Sequence, residues 1–248
     1  MHRYGSLDIA AKARRAPALK ALATELWVLK GARVLDCRTE IDAGAGDDLI
    51  PPSLRPAMPS FGSIIVSQFP DSPVGPFNLA ELRVGVRMGA VGGLFSIGAV
   101  CDCEPARQAL SERWGFNVEA GEVILEDLYH RVDATVRVAG RTVLHLRLTH
   151  RQLLPGTRLN VPSVVNLAKL DGAPILTHAP VTMAYAQADG GKQALLAFDG
   201  SAFGAGEAFR PVFPMGASYG VADMTLGAVD LTIDPVRPAE ESVTPVAA

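Results

Sequence analysis

Between residues 122 and 149 apolar and polar positions trade places one for one. Val132, Ala134, Val136 and Val138 oppose Arg131, Asp133, Thr135 and Arg137, and Leu144, Leu146 and Leu148 oppose Val143, His145 and Arg147. A period of two puts each set on one face of a strand. Glu122 to Tyr129, Arg131 to Val138 and Thr142 to Thr149 therefore read as a half-exposed antiparallel meander, with Ala139-Gly140 as a tight turn.

The same period recurs upstream. In Ala32 to Ile41, Val34, Asp36, Arg38 and Glu40 share one side, and Arg33, Leu35, Cys37 and Thr39 the other. In the long strand Pro76 to Met88, the face of Asn78, Ala80, Leu82, Val84, Val86 and Met88 is nearly all apolar and must pack on a core. Its opposite face, Phe77, Leu79, Glu81, Arg83, Gly85 and Arg87, is mixed. Glu25 to Leu29, Phe61 to Phe69, Leu94 to Val100, Val164 to Leu170, Ile175 to Tyr185, Gln193 to Phe198 and Val221 to Ile233 complete about ten or eleven short strands with no βαβ rhythm. The expected fold is mainly β (α+β): a closed antiparallel β-barrel with a few peripheral helices.

Two stretches have helical spacing. Asp8 to Leu22 is Ala-rich, with Ser6 or Asp8 as cap and Pro17 as an interruption. Ala106, Leu110 and Trp114 share a face of a second helix, which Gly115 ends. These marks divide the chain into an N-terminal helical arm (1–24), a barrel domain (25–234) and a polar, Pro-rich tail (235–248) expected to be disordered. Residues 201–218, rich in Gly, Ala, Phe and Pro, read as a mobile loop over a cavity mouth.

Composition narrows the function. The 248 residues are 48% hydrophobic with a net charge of −3, enough to bury a sizeable core and without the basic stripe that nucleic acid requires. The N-terminus carries no signal-peptide pattern, and the longest apolar run, near Val91 to Val100, is too short to span a bilayer, so no membrane partner is expected. Cys37, Cys101 and Cys103 lack metal spacing and read as reduced thiols of a cytoplasmic protein. No HxH or HExxH pair, no Gly-rich phosphate loop and no GxSxG occurs. Neither a metal nor a cofactor is expected.

Four stretches then carry a resemblance. They are Gly75-Pro76-Phe77-Asn78-Leu79-Ala80-Glu81-Leu82, the run Leu110 to Ala120 with Trp114-Gly115-Phe116 at its centre, Ile50-Pro51-Pro52-Ser53-Leu54, and Leu195 to Asp199. In order and spacing the chain resembles the acetoacetate decarboxylase superfamily from about Leu26 to Asp234. The resemblance implies a cone-like barrel with a central cavity, self-association into a homo-oligomer, and a small-molecule substrate.

The family's activity uses a Schiff-base lysine beside a second lysine. By this resemblance those positions are Val118 and Glu119, and the family's acidic partner falls on Leu79. No lysine occurs between Gly31 and Ala168. Lys169 is the one lysine left to stand in, at the end of its strand. What the resemblance implies is therefore a lyase, a decarboxylase or dehydratase without a Schiff base, acting on a hydrophobic carboxylated or carbonyl-bearing metabolite. Glu81 would move the proton and Asn117 would bond a carbonyl. Arg33 or Arg83 would orient the acid, Gln68 would sit at the rim, and Phe77, Trp114 and Phe116 would form an aromatic wall, with Leu79 and Val118 adding apolar surface. The alternative is a non-catalytic small-molecule binder on a degenerate decarboxylase fold, whose cavity would be almost purely apolar.

Overall fold

The computed structural model describes residues 4–155, 159 and 162–246. A short helix, Ile9–Ala13 (α1), precedes strand Trp27–Ile41 (β1). Helix Ala43–Asp47 (α2), the two-residue Arg55–Pro56 (β2), and the long strands Phe61–Phe69 (β3), Phe77–Met88 (β4) and Val91–Cys101 (β5) follow. Helix Glu104–Ala109 (α3) runs into a π-helical turn over Leu110–Trp114 and then into Val118–Ala120 (β6). The meander is Glu122–Leu128 (β7), Arg131–Val138 (β8) and Arg141–Leu153 (β9). Val164–Leu170 (β10), Ala173–Ala179 (β11), Val181–Phe198 (β12), Pro211–Leu226 (β13) and Leu231–Ile233 (β14) come next, and helix Ala239–Ser242 (α4) and Val243–Pro245 (β15) close the described chain.

The strands form one sheet in the order β15-β14-β11-β10-β5-β4-β3-β1-β13-β12-β9-β8-β7, with β2 beside β4 and β6 beside β5. Its two ends, β15 and β7, do not hydrogen-bond to each other, so the expected closed barrel is not formed by the ladder. The meander instead packs face to face on the middle of the sheet, β7 lying against β3, β4 and β5. Apolar packing holds the sheet bent over. Leu82, Val84 and Val86 of β4, with Leu35 and Ile64, meet Leu125, Val136, Leu144 and Leu146 in one cluster. The apolar face of β4 thus lies on the core, as its sequence pattern requires. The opposite face of β1, β3 and β4 belongs to a second cluster with Trp27, Trp114 and Phe116.

Several elements differ from the sequence reading. Helix α1 stops after Ala13, although Asp8 caps it by accepting from the Ala11 amide at 2.9 Å. Pro17 has no N–H to offer the Ala13 carbonyl. The chain beyond pairs instead with β10, Pro17 accepting from the Lys169 amide and Leu19 donating to the Lys169 carbonyl, both at 2.8 Å. The two strands read over 25–41 are one strand with a bulge, the register shifting between Leu29 and Ala32 where Gly31 takes φ +62°. The strand read over 175–185 breaks at Pro180, between β11 and β12. The expected loop over 201–218 is half strand: β13 starts at Pro211 and pairs with β1, Arg38 opposite Gly216. Pro211 and Pro214 are tolerated because β13 pairs with β12 only from Ala217 onward, leaving this stretch an edge. The tail expected to be disordered forms α4 and β15. Ser53 fastens it, donating to the Pro235 carbonyl and accepting from the Ala239 amide, and Arg55 bridges Glu240 at 2.8 Å.

Candidate active site

Strand register builds the site. On one face of β1, β3 and β4, three rows run across the sheet: Val34, Ser67, Leu79; then Asp36, Ile65, Glu81; then Arg38, Ser63, Arg83. Neighbouring strands lie ~4.8 Å apart, so Asp36 and Glu81 are about 10 Å apart at the backbone, and Arg38 and Arg83 likewise. Strand β13 extends the middle row with Ser218 on one side, and β5 and β6 extend it with Ala99 and Val118 on the other.

This face opens into a cavity of about 220 Å³. That is below the ~300–1,000 Å³ of drug-sized sites and suits a small metabolite. Its polar groups are Asp36, Arg38, Ser67, Glu81, Arg83, Tyr185 and Ser218. Its apolar wall is Val34, Ile65, Leu94, Val181, Met183 and Met224, and Leu154, Leu159 and Pro162 border it. No lysine is among the described residues that line it.

Glu81 and Arg83 are 4% and 3% exposed, so the pair is buried rather than a solvated ladder. Arg83 sends both Nε (3.0 Å) and Nη2 (2.5 Å) to the same oxygen, Oε1 of Glu81. Oε2 therefore keeps its lone pairs for something else. Asp36 holds a parallel arrangement: Oδ2 accepts from Arg38 Nε at 3.0 Å, and Oδ1 accepts from the Ser63 hydroxyl. The Arg38 guanidinium lies 5.9 Å from the centre of the Phe61 ring. Removing two charges from water costs several kcal/mol per ion, which a single pairing only partly offsets. For the buried Glu81–Arg83 couple that is an expense that stability alone does not explain; Asp36–Arg38, half-buried beside it, is only partly withdrawn from water.

Tyr185 faces Asp36 across the cavity. Burial, and then the Asp36 charge, push its phenol up to about 12, so at neutral pH it is a donor. That hydroxyl points at the Met183 sulfur, 2.9 Å away, a weak acceptor that a ligand oxygen would displace.

The sequence-predicted residues divide. Glu81 and Arg83 line the cavity. Leu79, Trp114, Phe116 and Val118 pack in the adjoining apolar cluster. Trp114 is fully buried, its Nε1 donates to the Gly227 carbonyl at 2.8 Å, and it meets Trp27 edge-on at 4.9 Å. It is core, not an aromatic wall. Burying an indole removes about 150–250 Å² from water, about 4–6 kcal/mol at ~25 cal/mol per Å². Gly115 follows at φ +81°, and a Cβ there would come within 2.7 Å of the Ala168 Cβ, so the Trp-Gly-Phe turn needs its glycine. Arg33, Gln68 and Phe77 line a separate groove beside Asn78 and Asp102, with Arg33 donating to Gln68 at 3.4 Å. Asn117 lines a third groove, with α1 and the turn Gly200–Phe203. Lys169 is half-buried in β10, with its backbone tied to Pro17 and Leu19.

Asp36, Arg38, Tyr185 and Ser218 were missed by the sequence reading. A signal existed for two of them: acid-x-Arg occurs at 36–38 and again at 81–83, on strands that both run antiparallel to β3. Among the described residues no group of three or more His, Cys, Asp or Glu side chains is arranged to hold a metal ion.

A family model described as acetoacetate decarboxylase matches residues 17–235. An acetoacetate decarboxylase from Legionella pneumophila subsp. pneumophila str. Philadelphia 1 superposes with a TM-score of 0.72 at 18% identity, over 86% of this chain and 87% of its own. The enduracididine biosynthesis enzyme MppR, solved with pyruvate, superposes at 0.67 with 15% identity over 86% of this chain and 96% of its own. An acetoacetate decarboxylase-like enzyme from Sphingomonas wittichii RW1 gives 0.65 at 17% identity, over 84% and 93%. At such identities these likenesses show the fold alone. No curated protein sequence matches the chain. The match over residues 17–235, on a mainly β structure with the same fold as those enzymes, means that this chain belongs to the acetoacetate decarboxylase family.

Proposed function

We propose that the protein is a lyase that decarboxylates a small, largely apolar keto acid without forming a Schiff base. The observation that carries this reading is the buried Glu81–Arg83 couple with the half-buried Asp36–Arg38 couple beside it, on a cavity whose described lining has no lysine. The coarser part, a small-molecule enzyme of the decarboxylase type, rests on the family. The noncovalent route is our reading of the residues.

In a β-keto acid, decarboxylation breaks the bond to the carboxyl carbon; that electron pair forms the C=C of an enolate while the carbonyl π pair moves onto oxygen. That oxygen gains negative charge, and a guanidinium already fixed beside it lowers the barrier. Arg83 and Arg38 are the cations available, and the Tyr185 phenol adds a neutral donor. The departing CO2 is uncharged and suits the wall of Ile65, Leu94 and Met224. Holding the substrate carboxylate near Asp36 and Glu81 would raise its energy before the bond breaks. A proton then returns to carbon; Glu81, whose two bonds from Arg83 both go to Oε1, would take it from solvent on Oε2 and pass it on. A merely binding cavity would not require a buried charge couple with a second, half-buried one beside it, which favours an enzyme over the carrier reading.

The test is a panel of short aliphatic and aryl keto acids, assayed for CO2 release by the wild type and by Glu81→Gln. Turnover of at least one acid, lost in the variant, supports the reading. Wild-type rates in Glu81→Gln would move the chemistry elsewhere, and tight binding of the acids with no CO2 would leave a carrier.

A further inference from the structure

Most polar groups of the cavity are answered by a neighbour. Asp36 and Arg38 hold each other, Glu81 and Arg83 do likewise, and the Tyr185 hydroxyl donates to the Met183 sulfur. Ser218 is half-buried. Ser67 stands apart. It lines the cavity and is 2% exposed, and its hydroxyl has no hydrogen-bond partner among the described residues.

The surroundings of Ser67 are apolar. On its row it lies between Val34 and Leu79, both buried. The next residue of β3 on the same face is Phe69, whose ring packs on Phe77 with centres 4.7 Å apart. A valine here would suit both the strand and the core, whereas a buried hydroxyl without a partner is destabilising. The packing does not call for a serine, so the hydroxyl is left for what enters the cavity.

Register fixes how far Ser67 stands from the charged couples. In an antiparallel pair a residue lies about 7–8 Å from the one two places beyond its opposite number. Ser67 has that relation to Glu81 on β4 and to Asp36 on β1. Its own row carries no charge, so an ionised ligand group would be unpaired there. A neutral hydroxyl fits, because it can give and receive a hydrogen bond, as the serine can.

We infer, on the decarboxylase reading above, that Ser67 is a specificity-determining residue and that the substrate is a keto acid with a hydroxyl at the end of the chain remote from the reacting carbonyl. With the carbonyl beside Arg83, that hydroxyl meets Ser67, and the carbons between lie on Ile65, which separates the two rows.

The experiment uses 3-oxo acids of increasing chain length, each with and without a terminal hydroxyl, together with the saturated acids of the same lengths. The oxo acids are read as kcat/KM for CO2 release, and the saturated acids, which cannot react, by calorimetric titration. Expected in both, at one chain length, is a preference of about three- to tenfold for the hydroxylated partner, the worth of one neutral hydrogen bond. Ser67→Ala should erase that preference and unfold at no lower temperature than the wild type, because the hydroxyl it loses has no partner in the fold. A preference that survives in Ser67→Ala, with or without a loss of stability, overturns the assignment. So does an absence of preference at every length, and CO2 release from both partners would then leave the decarboxylase reading standing. A preference in binding that Ser67→Ala erases, with no CO2 from any acid, keeps the role of Ser67 and refutes that reading instead.

Discussion

Asp36 and Glu81 occupy the same row of the sheet, one on each side of Ile65. Each carboxylate is bound by the arginine two residues further along its own strand, so both couples point into one cavity. The account of function grows from that placement.

The first consequence concerns charge. Among the described residues Arg83 has no acidic partner but Glu81, so Glu81→Gln strands a buried cation, at a cost of about 3–5 kcal/mol. Glu81→Gln/Arg83→Met removes both charges and should recover much of that stability. Denaturant unfolding of the two single variants and the double variant reads the coupling. Neither the double variant nor Glu81→Gln should retain turnover, with a loss of about 10²–10⁴-fold if Glu81 moves the proton. Recovered stability with lost activity separates the chemical role from the structural one.

Trp114 should behave in the opposite way. It is part of the core, so Trp114→Ala should lower stability by about 3–5 kcal/mol. At a temperature where the variant stays folded, the activity per folded molecule should hold. A loss of turnover without loss of stability would return Trp114 to the substrate.

Asp133 gives a pH dependence of known sign. Burial alone would push its carboxyl up, but Arg147 at 2.6 Å and Arg131 at 2.7 Å outweigh it and hold the group below the usual range. A carboxyl lower in the folded than in the unfolded chain stabilises the fold above its unfolded value, ~3.9, and that stabilisation is lost as pH falls through the folded value. Asp133→Asn should therefore be less stable than wild type at neutral pH. The gap should close in acid, as measured by thermal unfolding across pH.

The thiols should separate by burial. Cys37 is buried and its thiol is pushed far up, chiefly by desolvation, and Cys101 is pushed up to about 11 for the same reason. Thiolate is the reactive form. In the native chain a disulfide reagent at neutral pH should modify the half-buried Cys103 first, and Cys37 and Cys101 only on unfolding. Peptide mapping of the labelled protein reads the order.

Local patterns showed in the sequence where one residue decides them. Alternation placed Leu82, Val84 and Val86 on the core and Glu81 and Arg83 opposite, and the structure has them so. Gly115 ended its helix as read. What escaped was set by partners far along the chain. Helix α1 is short because Pro17 and Lys169 pair across 152 residues, and the tail folds because Ser53 and Arg55 receive it. Asp36 and Arg38 were on the correct face of their strand. Their meeting with Glu81 needed the register through β3, which no local pattern states. Arg33 and Gln68 lie away from Glu81 for the same reason, since the alternate residues of β1 and β3 face another groove.

The most direct test of the noncovalent account is the intact mass of the protein after turnover of a keto acid in the presence of cyanoborohydride, followed by peptide mapping. The account predicts CO2 release at the undisturbed rate and no mass added to any lysine. A reduced adduct on a lysine that accumulates as turnover stops would contradict it.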